Sequence, residues 1–292
     1  MGVGTSWLLG SSIQSVAVLV PSEPSQKVGT PLILQNLQTF PHAACIVREP
    51  GAEPRSGSFT VVRCTSSNAA LRERFVALAR LLPAFGCSTI RESIEVLVEL
   101  FEAAQRPPNA GELGLWGELA VIARCNDPIR LLEAWHGEPS EALDFVLGDE
   151  ALEIKTTRGE VRRHRFGLTQ LRPSGGRKVW VVSILAIPSA GGETVPDLVN
   201  RIVPRLAGRG ELQLKLERQA AKWLGNAWNP TEQTRYDLEA SLASVRVFLA
   251  EDVPAIALPI PVAISRVEFE VDLTGVSAAQ PQGLASLIGL GS

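Results

Sequence analysis

In this 292-residue sequence the side chains best suited to chemistry gather in one short stretch. Glu153-Ile154-Lys155 is the only place where an acidic residue stands two before a lysine. Residues two apart in a strand project to one face, so Glu153 and Lys155 point together, while Leu152 and Ile154 point into a core. Upstream, Gly148-Asp149 reads as the turn of a hairpin with arms 143–147 and 151–156. A two-residue turn pairs Leu147 with Glu150 and Val146 with Ala151, and so sets Asp144 opposite Glu153. A four-residue loop keeps that pairing, whereas a three-residue loop shifts it by one. Opposed side chains sit roughly 4.5–5.5 Å apart at Cβ.

Like charges placed this way destabilise a sheet unless something compensates them. Three compensations are open: a bound divalent cation, the Lys155 ammonium, or exposure to water. A hard cation such as Mg²⁺ takes oxygen ligands, usually one or two carboxylates plus substrate phosphates. Asp144 and Glu153 would supply the carboxylates, with the backbone carbonyl of Ile154 within reach. Lys155 would then orient a water, stabilise an attacking hydroxide or neutralise charge developing on phosphorus. The plainer reading is a solvated hairpin whose Glu–Lys pair contributes well under about 1 kcal/mol.

The elements that must position these residues follow from changes of period along the chain. Residues 1–66 alternate β-rich runs with turn clusters: 15–20, 44–47 and 59–63 read as strands, 21–25 and 49–54 as loops. Leu71, Phe75, Leu78 and Leu82 recur at helical spacing, as do Ile90, Ile94, Leu97 and Phe101, with Ser88 as N-cap of the second helix. Arg106-Pro107-Pro108-Asn109 breaks the pattern. It divides a β-rich N-terminal region ending in two helices (1–107) from a second domain (108–292). There the sequence predicts a helix over 112–124, a short one from Pro128 to near Trp135, the hairpin, and an apolar strand over 179–185. Helices over 196–206 and 211–224 and strands over 244–249 and 266–273 follow, an α/β order.

Two features flank the hairpin. On the preceding helix, Leu115, Trp116, Leu119 and Ile122 form an apolar stripe with Glu118 beside it. A carboxylate at a core edge needs a partner, so Glu118 is either a boundary residue reaching solvent or a third carboxylate aimed at a metal. Downstream, Arg158, Arg162, Arg163, Arg165, Arg172, Arg177 and Lys178 face only Glu160, a net +6 in a chain whose total is −3. Such a stretch suits a polyanionic substrate; the alternative is a solvated basic loop.

The Glu118 helix, Asp144-Phe145, Glu153-Ile154-Lys155 and Gln170-Leu171 together resemble the PD-(D/E)XK nuclease superfamily. More closely, the chain resembles an uncharacterised branch found in bacterial restriction-like and phage-defence gene clusters. Four motifs carry that likeness: Gly114-Leu115-Trp116-Gly117-Glu118-Leu119, Trp135-His136-Gly137, Asp144-Phe145 with Gly148, and Glu153-Ile154-Lys155. Leu143 stands where the name-giving proline would be, but proline carries no chemistry and the catalytic trio is intact. The resemblance implies an α/β (α+β) fold: a restriction-endonuclease-like mixed central sheet flanked by helices, preceded by the β-rich region. It further implies Mg²⁺-dependent hydrolysis of DNA phosphodiesters, with Mn²⁺ able to substitute. Asp144 and Glu153 would hold the ion, Lys155 assist the water, Glu118 support the metal, and Gln170 place a polar side chain at the site. DNA is the implied partner, with methyltransferase or ATPase subunits of a defence system and a homodimer as further candidates. The alternative is a catalytically inactive DNA-binding or assembly subunit of such a system.

Composition is that of an ordinary globular protein, with 45% hydrophobic and 20% charged residues. Net −3 excludes a polycation. Cys45, Cys64, Cys87 and Cys125 show no C-x-x-C pairing and no zinc-finger spacing with the three histidines, so they read as reduced thiols of a cytoplasmic protein. Cys125 closes a helix instead of opening one, which argues against a cysteine nucleophile. No apolar run is long enough to span a bilayer, so no membrane is implicated, and no G-x-x-x-x-G-K-[ST] loop occurs. Trp116, Trp135, Trp180, Trp223 and Trp228 read as core packing, not base-stacking platforms.

Overall fold

The computed structural model describes all residues except 1–7, 13–14, 23–28, 50, 86, 88, 109–110, 137–142, 173–175, 229–232, 258, 262 and 290–292. Ser88, Asn109 and Gly137 of the sequence reading therefore lie outside the described residues. In chain order, the strands are β1 (Leu8–Ser12), β2 (Ser15–Pro21), β3 (Leu32–Ile33), β4 (Leu37–Val47), β5 (Arg55–Cys64), β6 (Phe145–Leu147), β7 (Glu150–Arg158), β8 (Arg163–Gly167), β9 (Lys178–Ala186), β10 (Pro188–Glu193), β11 (Arg246–Leu249) and β12 (Glu268–Asp272). The α-helices are α1 (Ala69–Leu81), α2 (Ile90–Ala103), α3 (Glu112–Arg124), α4 (Pro128–Ala134), α5 (Leu168–Leu171), α6 (Val195–Ile202), α7 (Gly210–Leu224) and α8 (Leu238–Ala243). Contacts divide the chain into two units, 1–108 with 208–229, and 109–207 with 230–292.

The first unit is an antiparallel sheet, in the order β1-β2-β5-β4-β3, packed with α1, α2 and α7. Val18, Val20 and Val62 from the sheet meet Phe75, Leu97 and Phe101 from the helices in one core. Thr89 caps α2 by accepting the Glu92 N–H at 3.1 Å. Strand β4 runs on through Pro41, where the sequence suggests a strand only over 44–47. A register shift between Phe40 and Ala43, with His42 at φ +53°, absorbs the proline as a bulge. Although α7 follows the Pro107-Pro108 break in sequence, it packs in this first unit. Glu217 of α7 forms a buried 2.7 Å ion pair with Arg74, whose guanidinium lies 3.3 Å from the Trp228 ring centre.

The second unit is built on a mixed sheet ordered β11-β9-β7-β6. Strands β7 and β9 are parallel, and β6 and β11 add antiparallel to their outer sides. β9 is buried from Val179 to Ile184, the near-continuous apolar run of a strand covered on both faces. Neighbouring residues of β7 reveal the two covers. A methyl at Gly117 of α3 would overlap Thr156 Oγ1, so α3 lies directly on that face. Lys155, pointing the other way, meets Phe166 of β8, which pairs antiparallel with β12. The architecture is the mixed α/β fold expected from the sequence, an antiparallel sheet followed by a mixed sheet with flanking helices.

Residues 158–178 are not a loop throughout, because they contain β8 and α5. Arg163-His164-Arg165-Phe166 alternates exposed and buried, a strand period that the density of charge obscures in the sequence.

Candidate active site

Strand pairing builds the site from the turn outward. Gly148, at φ +60°, opens the two-residue turn, and the register runs Leu147↔Glu150, Val146↔Ala151, Phe145↔Leu152. One step further sets Asp144 opposite Glu153. Asp144 stands just before β6, and the Ile154 N–H donates to its Oδ2 at 2.6 Å. Glu153 and Lys155 share a face of β7, with Lys155 Nζ 2.7 Å from Glu153 Oε1. Glu153 is only 2% exposed, because β7 is interior.

Gln170, on the short α5, ties the two together. Its Nε2 donates to Glu153 Oε1 at 2.5 Å, and its Oε1 accepts from Lys155 Nζ at 3.2 Å and from the Gly167 N–H at 2.8 Å. Only this amide orientation presents a donor to the carboxylate and an acceptor to the ammonium. Glu118 arrives from α3 and takes the Trp135 indole N–H on its Oε2 at 2.7 Å. The structure thus brings Asp144, Glu153, Lys155, Gln170 and Glu118 into one electrostatic cluster. Trp135 is an addition that sequence reasoning leaves in the core. Its ring is indeed buried, but Trp bodies place a donor as well as area.

The cluster is overcharged. Burial, opposed by the Ile154 N–H and by Lys155, pushes the Asp144 carboxyl up to about 6. Burial and then the neighbouring Asp144 push Glu153 up to about 8, against the pull of Lys155. Burial and then Asp144 also raise Glu118 well above the usual carboxylate range, with the Trp135 N–H acting the other way. One lysine cannot neutralise three carboxylates in a poorly solvated site. In addition, Glu153 Oε2 is buried without a hydrogen bond of normal geometry, the Asp144 backbone acting only weakly on the carboxylate, a costly state for a carboxylate oxygen.

These residues fit a divalent cation. Hard oxygen donors, surplus negative charge and an under-satisfied carboxylate oxygen are what such an ion satisfies. Among the described residues, no three or more His, Cys, Asp or Glu side chains are gathered tightly enough to hold a metal alone. A site that shares its ion with substrate phosphates needs only one or two carboxylates.

The basic residues that follow are dispersed. Arg162 is 6% exposed and points inward, where it donates to Ser183 O at 2.8 Å, Ser183 Oγ at 2.9 Å and the Ser244 carbonyl. Exposed Arg163 and Arg165 pair with Glu270 and Glu268 of β12. Arg158 Nε donates to Tyr236 Oη at 2.5 Å, Arg172 donates to the Ala250 carbonyl at 2.9 Å, and Arg177 donates to the Gly148 carbonyl at 3.3 Å. Lys178 Nζ lies 4.4 Å from the Trp180 ring centre. Between the arginines, His164 Nε2 is 2.7 Å from Ser183 Oγ. Burial, reinforced by Lys155 and Arg162, pushes its imidazole down to about 4. Cys125 is buried at the end of α3, and its thiol is pushed up to about 11 by that burial, the reverse of a nucleophile's requirement.

A family model described as "Putative PD-(D/E)XK family member, (DUF4420)" matches residues 86–274, more than half of the chain. No curated protein and no solved structure matches it.

Proposed function

This chain belongs to the PD-(D/E)XK family (DUF4420), and from that premise we propose that it is a divalent-metal-dependent endodeoxyribonuclease hydrolysing phosphodiester bonds. The observation that carries the reading is Glu153 Oε2, buried without a hydrogen bond of normal geometry beside Asp144 in a cluster with too much negative charge. Asp144, Glu153 and the Ile154 carbonyl would hold Mg²⁺ or Mn²⁺, supported by Glu118. Such an ion, when bound, polarises the phosphoryl oxygen and acidifies water.

The chain's own side chains do the rest. An ammonium has three N–H donors, and Lys155 directs two of them to Glu153 Oε1 and Gln170 Oε1. The third is left to orient the attacking water or to bind a phosphoryl oxygen as charge develops there. Gln170 keeps Lys155 and Glu153 in register, so the donor does not swing away. Along the basic stretch Arg158, Arg163, Arg165, Arg172 and Lys178 are exposed and would engage the DNA backbone.

The motif resemblance supports a place in a restriction or phage-defence system, acting with methyltransferase or ATPase subunits. Cutting both strands favours a homodimer. Among the described residues no helix is long and apolar enough to cross a membrane, and the free cysteines suit a reducing cytoplasm.

The test is nicking of supercoiled plasmid with Mg²⁺ or Mn²⁺, with Asp144→Ala and Lys155→Ala run beside the wild type. Cleavage by the wild type alone, abolished by EDTA, is the expected result. Equal cleavage by all three proteins sinks the residue assignment. DNA binding without cleavage under any metal would support the inactive DNA-binding or assembly subunit instead.

A further inference from the structure

Trp135 touches both ends of the acidic cluster. It caps the C-terminus of α4 and pairs as an isolated antiparallel bridge with Phe145, beside the first strand of the hairpin. The next backbone N–H, that of His136, donates to the Asp144 carbonyl at 2.7 Å. The Trp135 ring is 1% exposed and lies nearly parallel to the Phe145 ring, at 6.5 Å between centres. From this fixed frame its Nε1–H reaches Glu118 Oε2 at 2.7 Å. One residue therefore registers the backbone that carries Asp144 and grips the carboxylate that α3 brings from the other side.

The need for such a grip is electrostatic. Glu118 and Asp144 repel each other, and a glutamate has three rotatable bonds with which to turn away. A neutral, buried donor holds the carboxylate without adding a cation, so the site keeps the negative charge that attracts a metal. Outer partners that orient a ligand are commonly worth 10–100-fold in metal affinity.

We propose that Trp135 is a positioning residue, whose indole N–H fixes Glu118 beside Asp144 and so sets the site's affinity for a divalent cation. The inference rests on the metal-site reading above and goes beyond it in assigning a residue outside the acidic trio.

The experiment is calorimetric titration of the full chain with Mn²⁺, using wild type, Trp135→Phe, Glu118→Gln and the double variant. Thermal unfolding in EDTA is followed alongside, to show that each variant folds. Phenylalanine keeps an aromatic ring against Phe145 while deleting the donor and part of the bicycle, a packing loss that the unfolding measurement reads separately. Wild type should bind, Trp135→Phe should bind about ten-fold more weakly, and Trp135→Phe should cost nothing further once Glu118 is already Gln. Raising Mg²⁺ should restore the Trp135→Phe cleavage rate, because the loss lies in occupancy. Unchanged affinity in Trp135→Phe, or an undiminished loss in the Glu118→Gln background, overturns the inference while leaving the metal site standing. A wild type that binds no Mn²⁺ overturns both. If Trp135→Phe does not fold, benzothienylalanine at position 135 keeps the bicyclic shape without the N–H and gives the same readout.

Discussion

The acidic hairpin and the basic stretch after it are consecutive in sequence, yet the fold treats their charges in opposite ways. Around Glu153, strand alternation and hairpin register converge carboxylates from β7, the approach to β6 and α3, and leave them undercompensated. Along 158–178 the fold disperses charge. Arg162 turns inward, Arg163 and Arg165 meet acids across the β8–β12 ribbon, and Arg172 and Arg177 donate to backbone carbonyls. Uncompensated buried charge points to a candidate site, whereas charge met by local partners is accounted for by the fold. Counting charges along a sequence cannot separate the two.

The comparison is broken most forcefully at its acidic end. Glu153→Gln removes a carboxylate that is repelled by Asp144 and has an under-satisfied oxygen. Plasmid cleavage should fall to background, while the metal-free protein at pH 8 should melt at a higher temperature than wild type. Functional sites commonly hold such strain. A variant that melts lower in EDTA would mean that Glu153 stabilises the fold, and the contrast would collapse. Lys155→Ala should lose about 10²–10³-fold in rate, the scale for one donor aimed at developing charge.

The next largest effect lies at the dispersed end. Arg162→Ala leaves Ser183 and Ser244 acceptors without their buried donor, which should destabilise the protein by about 3 kcal/mol. Chemical denaturation measures this directly. DNA affinity of the folded fraction should not change; a selective loss of affinity with unchanged stability would instead assign Arg162 to the DNA surface.

Much of this was legible because hairpin geometry is local. Gly148-Asp149 fixes the register, the register sets Asp144 against Glu153, and period two sends Lys155 to the same face, all within a dozen residues. Helix α3 was legible from its apolar stripe. Three things were not. The Pro41 bulge hides the length of β4, and the return of α7 to the first unit depends on the distant Arg74–Glu217 pair. The fate of the arginines depends on β12, about a hundred residues downstream, whose acids sit opposite them. Long-range pairing has no local signature, although the outward Arg163 and Arg165 with inward His164 and Phe166 did carry the strand period.

The acidic cluster also predicts a pH dependence whose sign is opposite to ordinary acid denaturation. Glu153 sits at about 8 in the fold, against an ordinary value of 4.5, so between these the folded state binds the extra proton. Its stabilisation is present at low pH and is lost as pH rises through 8. Asp144, at about 6, acts in the same direction. His164 acts oppositely: its depressed value favours the fold above 6.5 and withdraws that support as pH falls toward 4. The window from 6.5 to 8 therefore isolates the carboxylates. In EDTA the melting temperature should fall across it, and saturating Mg²⁺ should flatten the slope, since an ion binds the deprotonated forms. A flat profile in EDTA would mean that the carboxylates are adequately compensated without metal.

The smallest effect sharpens the comparison at the ribbon. Arg165 is exposed but paired with Glu268, which also pairs with Arg266. An arginine engaged by a neighbouring acid must leave it to contact a phosphate, so the pair opposes DNA binding. Removing the acid with Glu268→Ala should therefore tighten DNA binding a few-fold at low salt, while Arg165→Ala should weaken it and reduce the salt slope by about one. Both shifts should shrink as salt screens the exposed charges. Filter binding of a non-cleaving Lys155→Ala background across salt concentrations reads both arms. If Glu268→Ala leaves affinity and slope unchanged, the ribbon does not face DNA, and the dispersal of charge along β8 serves the fold alone.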